Sequence, residues 1–123
     1  MPTAQRPPRD PLTSPLTFRS DLLKGQVVLV SGAGSGIGKA IAIQCARLGA
    51  KLAICGRKVE KLETTAAILR DLGAEVMVRP ATIRDAEDVD RLHAEVWERF
   101  GRLDHLVNNA GGQFPQAAID YSV

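Results

Sequence analysis

Residues 31–38 read SGAGSGIG, with glycine at every second position from Gly32 to Gly38. They follow the apolar run QVVLVS at 26–31 and open a segment whose apolar residues recur at helical spacing. This restricts the fold more than any other stretch of the chain. Unpaired backbone N–H groups at a helix N-terminus, with the helix dipole behind them, suit phosphate oxygens. A Cβ in the turn would hold that backbone away from a ligand, so glycine is required there. A strand before and a helix after separate a nucleotide loop from a mere glycine-rich turn, which is the alternative for the motif alone. The spacing of Gly32, Gly36 and Gly38 is G-x-x-x-G-x-G. A nucleoside-triphosphate loop would need G-x-x-x-x-G-K followed by Ser or Thr. Here Ala33 stands at the first glycine position and Ala40 follows Lys39, so that chemistry is excluded.

The pattern continues as an alternation. Strand-like runs at 26–31, 51–55, 75–79 and 103–107 are separated by helical periods at 36–48, 58–72 and 85–99. The spacing puts Ile37, Ile41, Cys45 and Leu48 on the inner face of the first helix. It puts Val59, Leu62, Ala66, Leu69 and Leu72 on that of the second, and Ala86, Val89, Leu92, Val96 and Phe100 on that of the third. Gly49, Gly73 and Gly101 follow the helices as stop signals, Pro80 ends the third strand, and Asp85 is placed to cap the third helix. Such alternation is the sequence form of right-handed βαβ crossovers. The expected fold is α/β, a Rossmann-type doubly wound parallel sheet, of which residues 22–123 supply the N-terminal βαβαβαβ half. Residues 1–21, around RPPRDP, read as a flexible Pro/Arg-containing arm.

The 123 residues suffice for one domain, and a net charge of +2 with interspersed signs gives no argument for nucleic acid or a membrane surface as partner. No apolar run has the length of a membrane span, and the N-terminus lacks the apolar core of a signal peptide. Cys45 and Cys55 have no metal-ligand spacing and read as free core thiols, which fits a reducing, cytoplasmic setting. His93 and His105 have no ligand-spaced Cys, Asp or Glu. Asp85, Glu87, Asp88 and Asp90 read as a solvated helix start, and Trp97 and Phe100 as packing residues. No metal site is expected.

The second strand should end beside an adenine ribose. An acid there would accept the 2′-hydroxyl of NAD. The chain instead reads Cys55-Gly56-Arg57-Lys58, with no acid before Glu60. An arginine fork suits a 2′-phosphate, so NADP(H) is favoured over NAD(H). The alternative, that Arg57 and Lys58 only decorate a solvated first turn, is weakened because cations oppose the dipole at a helix N-terminus. NNAGG, from Asn108 to Gly112, lies at the carboxyl end of the fourth strand, where open α/β sheets bind ligands. Asn108 could bond neighbouring backbone and fix the strand end. By itself the segment could also be an Asn-Gly turn.

Together, SGAGSGIG and NNAG at this separation resemble the short-chain dehydrogenase/reductase family over residues 22–123. The resemblance implies an NAD(P)(H) oxidoreductase acting on a small-molecule substrate. Gly32, Ser35, Gly36, Ile37 and Gly38 would form or border the pyrophosphate loop, with Ser31 at the family's usual Thr. Arg57 would select NADP with Lys58 beside it, and Asn108, Ala110 and Gly111 would border the cofactor. Thr82-Ile83 stands where the family often has Asp and an apolar residue at the adenine, so an acid is replaced there. Gly112-Gln113-Phe114 is similar to peroxisomal trans-2-enoyl-CoA reductases, which implies reduction of an acyl-thioester double bond and fatty acid metabolism. Carbonyl reduction or alcohol oxidation is the alternative within the family, and a non-catalytic nucleotide-binding module the alternative outside it. The family's catalytic Ser and Tyr-x-x-x-Lys have no match: Tyr121 comes too early, with no residue four beyond it. No catalytic acid or base is therefore assigned. The expectation is a cofactor-binding part of a longer, homo-oligomeric enzyme.

Overall fold

The computed structural model describes residues 9–111. The strands are β1 (Val27–Ser31), β2 (Lys51–Gly56), β3 (Val76–Pro80) and β4 (His105–Val107), alternating with α1 (Gly36–Arg47), α2 (Val59–Asp71) and α3 (Ala86–Phe100). All pairings are parallel and the order is β3-β2-β1-β4. The chain thus works outward from β1 to β3 and then crosses back to place β4 on the other side of β1. That reversal opens a crevice at the carboxyl ends of β1 and β4. The expected Rossmann-type half is the observed one.

Helices cover both faces. Val28, Val30, Leu52, Ile54 and Val76 meet Ala42, Ile43 and Ala46 of α1 and Leu62, Ala66 and Leu69 of α2. The alternate residues Val27, Leu29, Ala53, Cys55 and Met77 meet Leu92 and Val96 of α3. Strand residues of both parities are buried, which is why these strands read as continuous apolar runs.

The inner face of α1 differs from the one that apolar spacing predicts. Its buried residues are Gly38, Ala42, Ile43 and Ala46, and Ile37 is 74 % exposed. Small residues let α1 lie close to the sheet, so its contact stripe is poor in the large side chains on which periodicity relies. On α2 the stripe is Leu62, Thr65, Ala66 and Leu69, and Val59 and Leu72 at its ends are exposed. On α3 only Leu92 and Val96 are buried, Phe100 packs at the margin, Ala86 is exposed and Trp97 is 56 % exposed. Asp85 does cap α3, accepting from the Glu87 amide at 3.0 Å.

The amino end of the sheet is closed by its own residues. Asp104 accepts from the Val27 amide at 2.8 Å and pairs with Arg102 through two bonds of 2.8 and 2.7 Å. The Arg102 guanidinium and the Val27 amide hold the Asp104 carboxyl below the usual carboxylate range. His105 Nε2 lies 2.6 Å from Gln26 Oε1, so this exposed histidine is a strand-end tie. The arm touches α1: the Pro11 carbonyl accepts from Gln44 Nε2 at 2.7 Å and Arg47 Nη1 at 2.8 Å. Residues 1–8 of the arm, the stretch Gly112-Gln113-Phe114 and Tyr121 lie outside the described residues.

Candidate dinucleotide-binding cleft

At the carboxyl end the loops leave an open cleft of about 600 Å³. Its floor is held by Ser31, the last residue of β1. The Ser31 hydroxyl donates to the Val107 carbonyl at 3.2 Å and accepts from the Asn109 and Ala110 amides, each at 3.0 Å. A hydroxyl offers one donor and two acceptor sites, so its capacity is filled. Asn109 Nδ2 returns the tie by donating to the Ser31 carbonyl at 3.2 Å and the Gly32 carbonyl at 3.3 Å. The glycine loop and the segment after β4 are therefore one rigid piece.

The glycines have separate duties on this piece. Gly38 packs the first turn of α1 onto the loop, where a Cβ would run into the Gly32 carbonyl and the Asn109 side chain. Gly36 has φ of 57° and nothing within 4 Å of where its Cβ would stand. The backbone there needs glycine, yet no atom of the described chain uses the space, as expected where a ligand approaches. Gly34 lets α2 approach, since a Cβ on it would lie 2.9 Å from Lys61 Cβ. The buried Thr65 hydroxyl donates to the Ala33 carbonyl at 3.0 Å and pins α2 to the loop. Ser35 precedes α1 in an extended conformation without turning its hydroxyl onto the helix, and the first turn of α1 has no acid. The amides of residues 36–38 precede the first i to i−4 bond, from Lys39 to Ser35 at 3.3 Å. Backbone donors, dipole and clearance fit a pyrophosphate.

The walls are cationic. Arg57 and Lys58 just after β2, Lys61 in α2 and Arg84 after β3 all line the cleft, and among the described residues no carboxylate lines it. Among the described residues none of these four enters an ion pair, whereas Arg70, Arg79, Arg91 and Arg102 each do. Thr82 sits on the third wall. Its amide donates to Asp88 at 2.9 Å and its hydroxyl accepts from the Arg84 amide at 3.3 Å. Cys55, also in the wall, is buried, and that burial with the nearby Asp88 charge pushes its thiol up to about 11. It is a protonated spacer and not a nucleophile.

Of the residues singled out from the sequence, Gly32, Ser35, Arg57, Lys58, Thr82, Ala110 and Gly111 line this cleft. Gly36 and Gly38 shape the loop behind it. Ile37 and Asn108 are outside the lining, both exposed. The strand-end tie expected of Asn108 is made by its neighbour Asn109, because a three-residue β4 stops at Val107 and turns the second asparagine towards Ser31. Sequence reasoning also passed over Gly34, Lys61 and Arg84. Lys61 carries no sequence signal, because Arg57 and Lys58 precede α2 in non-helical backbone and helical spacing does not relate them to it. Among the described residues no three His, Cys, Asp or Glu side chains gather to hold a metal ion, and no helix is long and apolar enough to cross a membrane.

Comparison with known proteins agrees with this geometry. A family model described as short chain dehydrogenase matches residues 26–123. The peroxisomal 2,4-dienoyl-CoA reductase [(3E)-enoyl-CoA-producing] of Arabidopsis thaliana is 41 % identical over 105 residues, covering 85 % of this chain and 35 % of the relative. The 11-beta-hydroxysteroid dehydrogenase-like 2 of the same plant is 44 % identical over 96 residues, covering 77 % and 30 %. The chain thus spans about a third of the length of the curated relatives it matches. Among solved structures, a citronellol catabolism dehydrogenase from Pseudomonas aeruginosa PAO1 superposes with a TM-score of 0.76 at 42 % identity, covering 86 % of this chain and 43 % of that one. A metagenomic short-chain oxidoreductase holding NADP (TM-score 0.71, 37 % identity, 73 % and 41 % covered) and an NAD+-bound xylitol dehydrogenase (0.72, 36 %, 74 % and 35 %) are similar too. The glycine loop locked to the segment after β4, on a sheet of this order, and the match over most of its length agree: the chain belongs to the short-chain dehydrogenase/reductase family of oxidoreductases.

Proposed function

We propose that the full-length protein is an NADP(H)-dependent reductase acting on an enoyl-CoA or a related acyl thioester, with this chain as its cofactor-binding part. The observation that carries the cofactor reading is that, among the described residues, Arg57 and Lys58 enter no ion pair and line a cleft wall without a carboxylate. An acid would be needed there to accept a ribose 2′-hydroxyl, whereas an arginine fork suits a 2′-phosphate. In this reading the amides at the start of α1 take the pyrophosphate, Arg57 and Lys58 take the 2′-phosphate, and the small residues Ala110 and Gly111 leave room for the second ribose. When bound, the nicotinamide supplies the hydride. The proton is handled by a tyrosine downstream of this chain, as the family resemblance implies, and no residue within it is assigned as acid or base. Free Cys45 and Cys55 support a reducing, cytoplasmic setting, and exposed Trp97 and Leu106 support further burial in a homo-oligomer.

The thioester substrate is supported by likeness to the dienoyl-CoA reductase, and a second reading by likeness to the hydroxysteroid dehydrogenase-like protein: a carbonyl reductase or alcohol dehydrogenase. Assay of the full-length protein with enoyl-CoA, dienoyl-CoA, ketone and secondary-alcohol substrates, each with both cofactors, separates them. NADPH-dependent loss of the conjugated double bond is expected. Turnover of the ketone or alcohol alone would replace the first substrate class by the second.

A further inference from the structure

We propose that Lys61 and Arg84 complete a two-sided cage for the ribose 2′-phosphate, with Arg57 and Lys61 on the α2 side and Arg84 reaching from the loop between β3 and α3. This rests on the NADP(H) reading and extends it to two residues and a second wall. Lys61 lines the cleft from the first turn of α2, and its stem is fixed against the glycine loop at Gly34, in a helix pinned to that loop by Thr65. Arg84 lines the same cleft from the loop between β3 and α3, its amide anchored on the Thr82 hydroxyl. The acids closest to Arg84 in sequence are engaged elsewhere. Asp85 caps α3, Glu87 pairs with Arg91, and Asp88 serves Arg79 and the Thr82 amide.

Like charges gathered on one cleft repel one another, and those on α2 also oppose its dipole. An anion of nearly two charges relieves both costs, and a phosphate monoester carries that charge at neutral pH.

The test is titration of the full-length protein with NADPH and with NADH, read by cofactor fluorescence, for the natural protein and for Arg57→Ala, Lys61→Ala and Arg84→Ala. Loss of one charged hydrogen-bond donor should weaken NADPH binding about tenfold in Lys61→Ala and Arg84→Ala. NADH binding should stay within about twofold, which also reports an intact fold, because NADH lacks the phosphate those donors meet. NADPH preference that falls in Arg57→Ala alone would overturn the cage and leave the NADP(H) reading standing. A natural protein that binds NADH at least as tightly as NADPH would overturn that reading, and the cage with it.

Discussion

The two ends of this parallel sheet are built on opposite principles. At the amino end the starts of β1 and β4 find partners within the chain: Asp104 takes the Val27 amide and Arg102, and Gln26 meets His105. At the carboxyl end Ser31 and Asn109 are saturated, but only to hold a frame. On that frame, among the described residues, the first turn of α1 holds no acid and Arg57, Lys58, Lys61 and Arg84 go unpaired. A parallel sheet gathers helix N-termini at one end only, so it can satisfy itself at the other end and leave this one to a ligand. Substitutions at the amino end should therefore change stability alone, and those at the carboxyl end binding, alone or together with stability.

The largest effect is expected at Gly38. A Cβ there meets the backbone of Gly32, which cannot swing aside, and the Asn109 side chain that locks the frame. Gly38→Ala should cost about 1–3 kcal/mol of stability by overpacking and, by displacing α1, remove measurable dinucleotide binding. Gly36→Ala sharpens the contrast. Its Cβ meets nothing, so the cost is the left-handed conformation alone, about 1–2 kcal/mol, yet the methyl enters space the pyrophosphate needs. Thermal midpoints and NADPH titrations of both variants would separate frame from ligand. Gly36→Ala binding as tightly as the natural protein would show that the loop is not the pyrophosphate site.

Ser31→Ala should follow, with loss of about 2 kcal/mol, because the Asn109 and Ala110 amides lose their acceptor at a half-buried site. The urea midpoint measures it. Ser31→Thr keeps the hydroxyl and should recover most of the loss. If both variants lose equally, the hydroxyl is not what joins β1 to the segment after β4.

How much of this was legible follows from what each residue does. The sheet, its helices and the position of the glycine loop could be read because strand burial on both faces and glycine punctuation are local signals. Arg57, Thr82 and Gly111 could be read because each stands next to a strand end, where the cleft must be. The inner face of α1 misled, since its contact with the sheet is made by Gly38, Ala42, Ile43 and Ala46 while Ile37 is exposed. Asn109 was passed over for Asn108 because the choice depends on which residue β4 ends on, a matter of one position that hydrophobic pattern does not resolve. Lys61 and Arg84 come from separate elements that only the folded chain brings to one cleft.

The smallest expected effect lies at the quiet end and tests it by pH. In the folded protein the Arg102 guanidinium and the Val27 amide favour the ionised Asp104 carboxyl, so its affinity for a proton is lower than in the unfolded chain. A group depressed in this way contributes stability in full above the unfolded carboxylate range. That contribution is lost as pH falls through this range towards the lower folded value, because the unfolded chain takes up the proton first. Asp104→Asn removes the linkage: its urea midpoint should be slightly lower than the natural one at neutral pH, and the two should converge as the solution is acidified. High salt should shrink the difference, since the pair with Arg102 is exposed. NADPH affinity should not move, because β1 separates Asp104 from the cleft by its whole length. Curves for the two proteins that stay parallel down the acid limb would mean that Asp104 closes the amino end by shape alone, and a change in cofactor affinity would mean that the two ends are not independent.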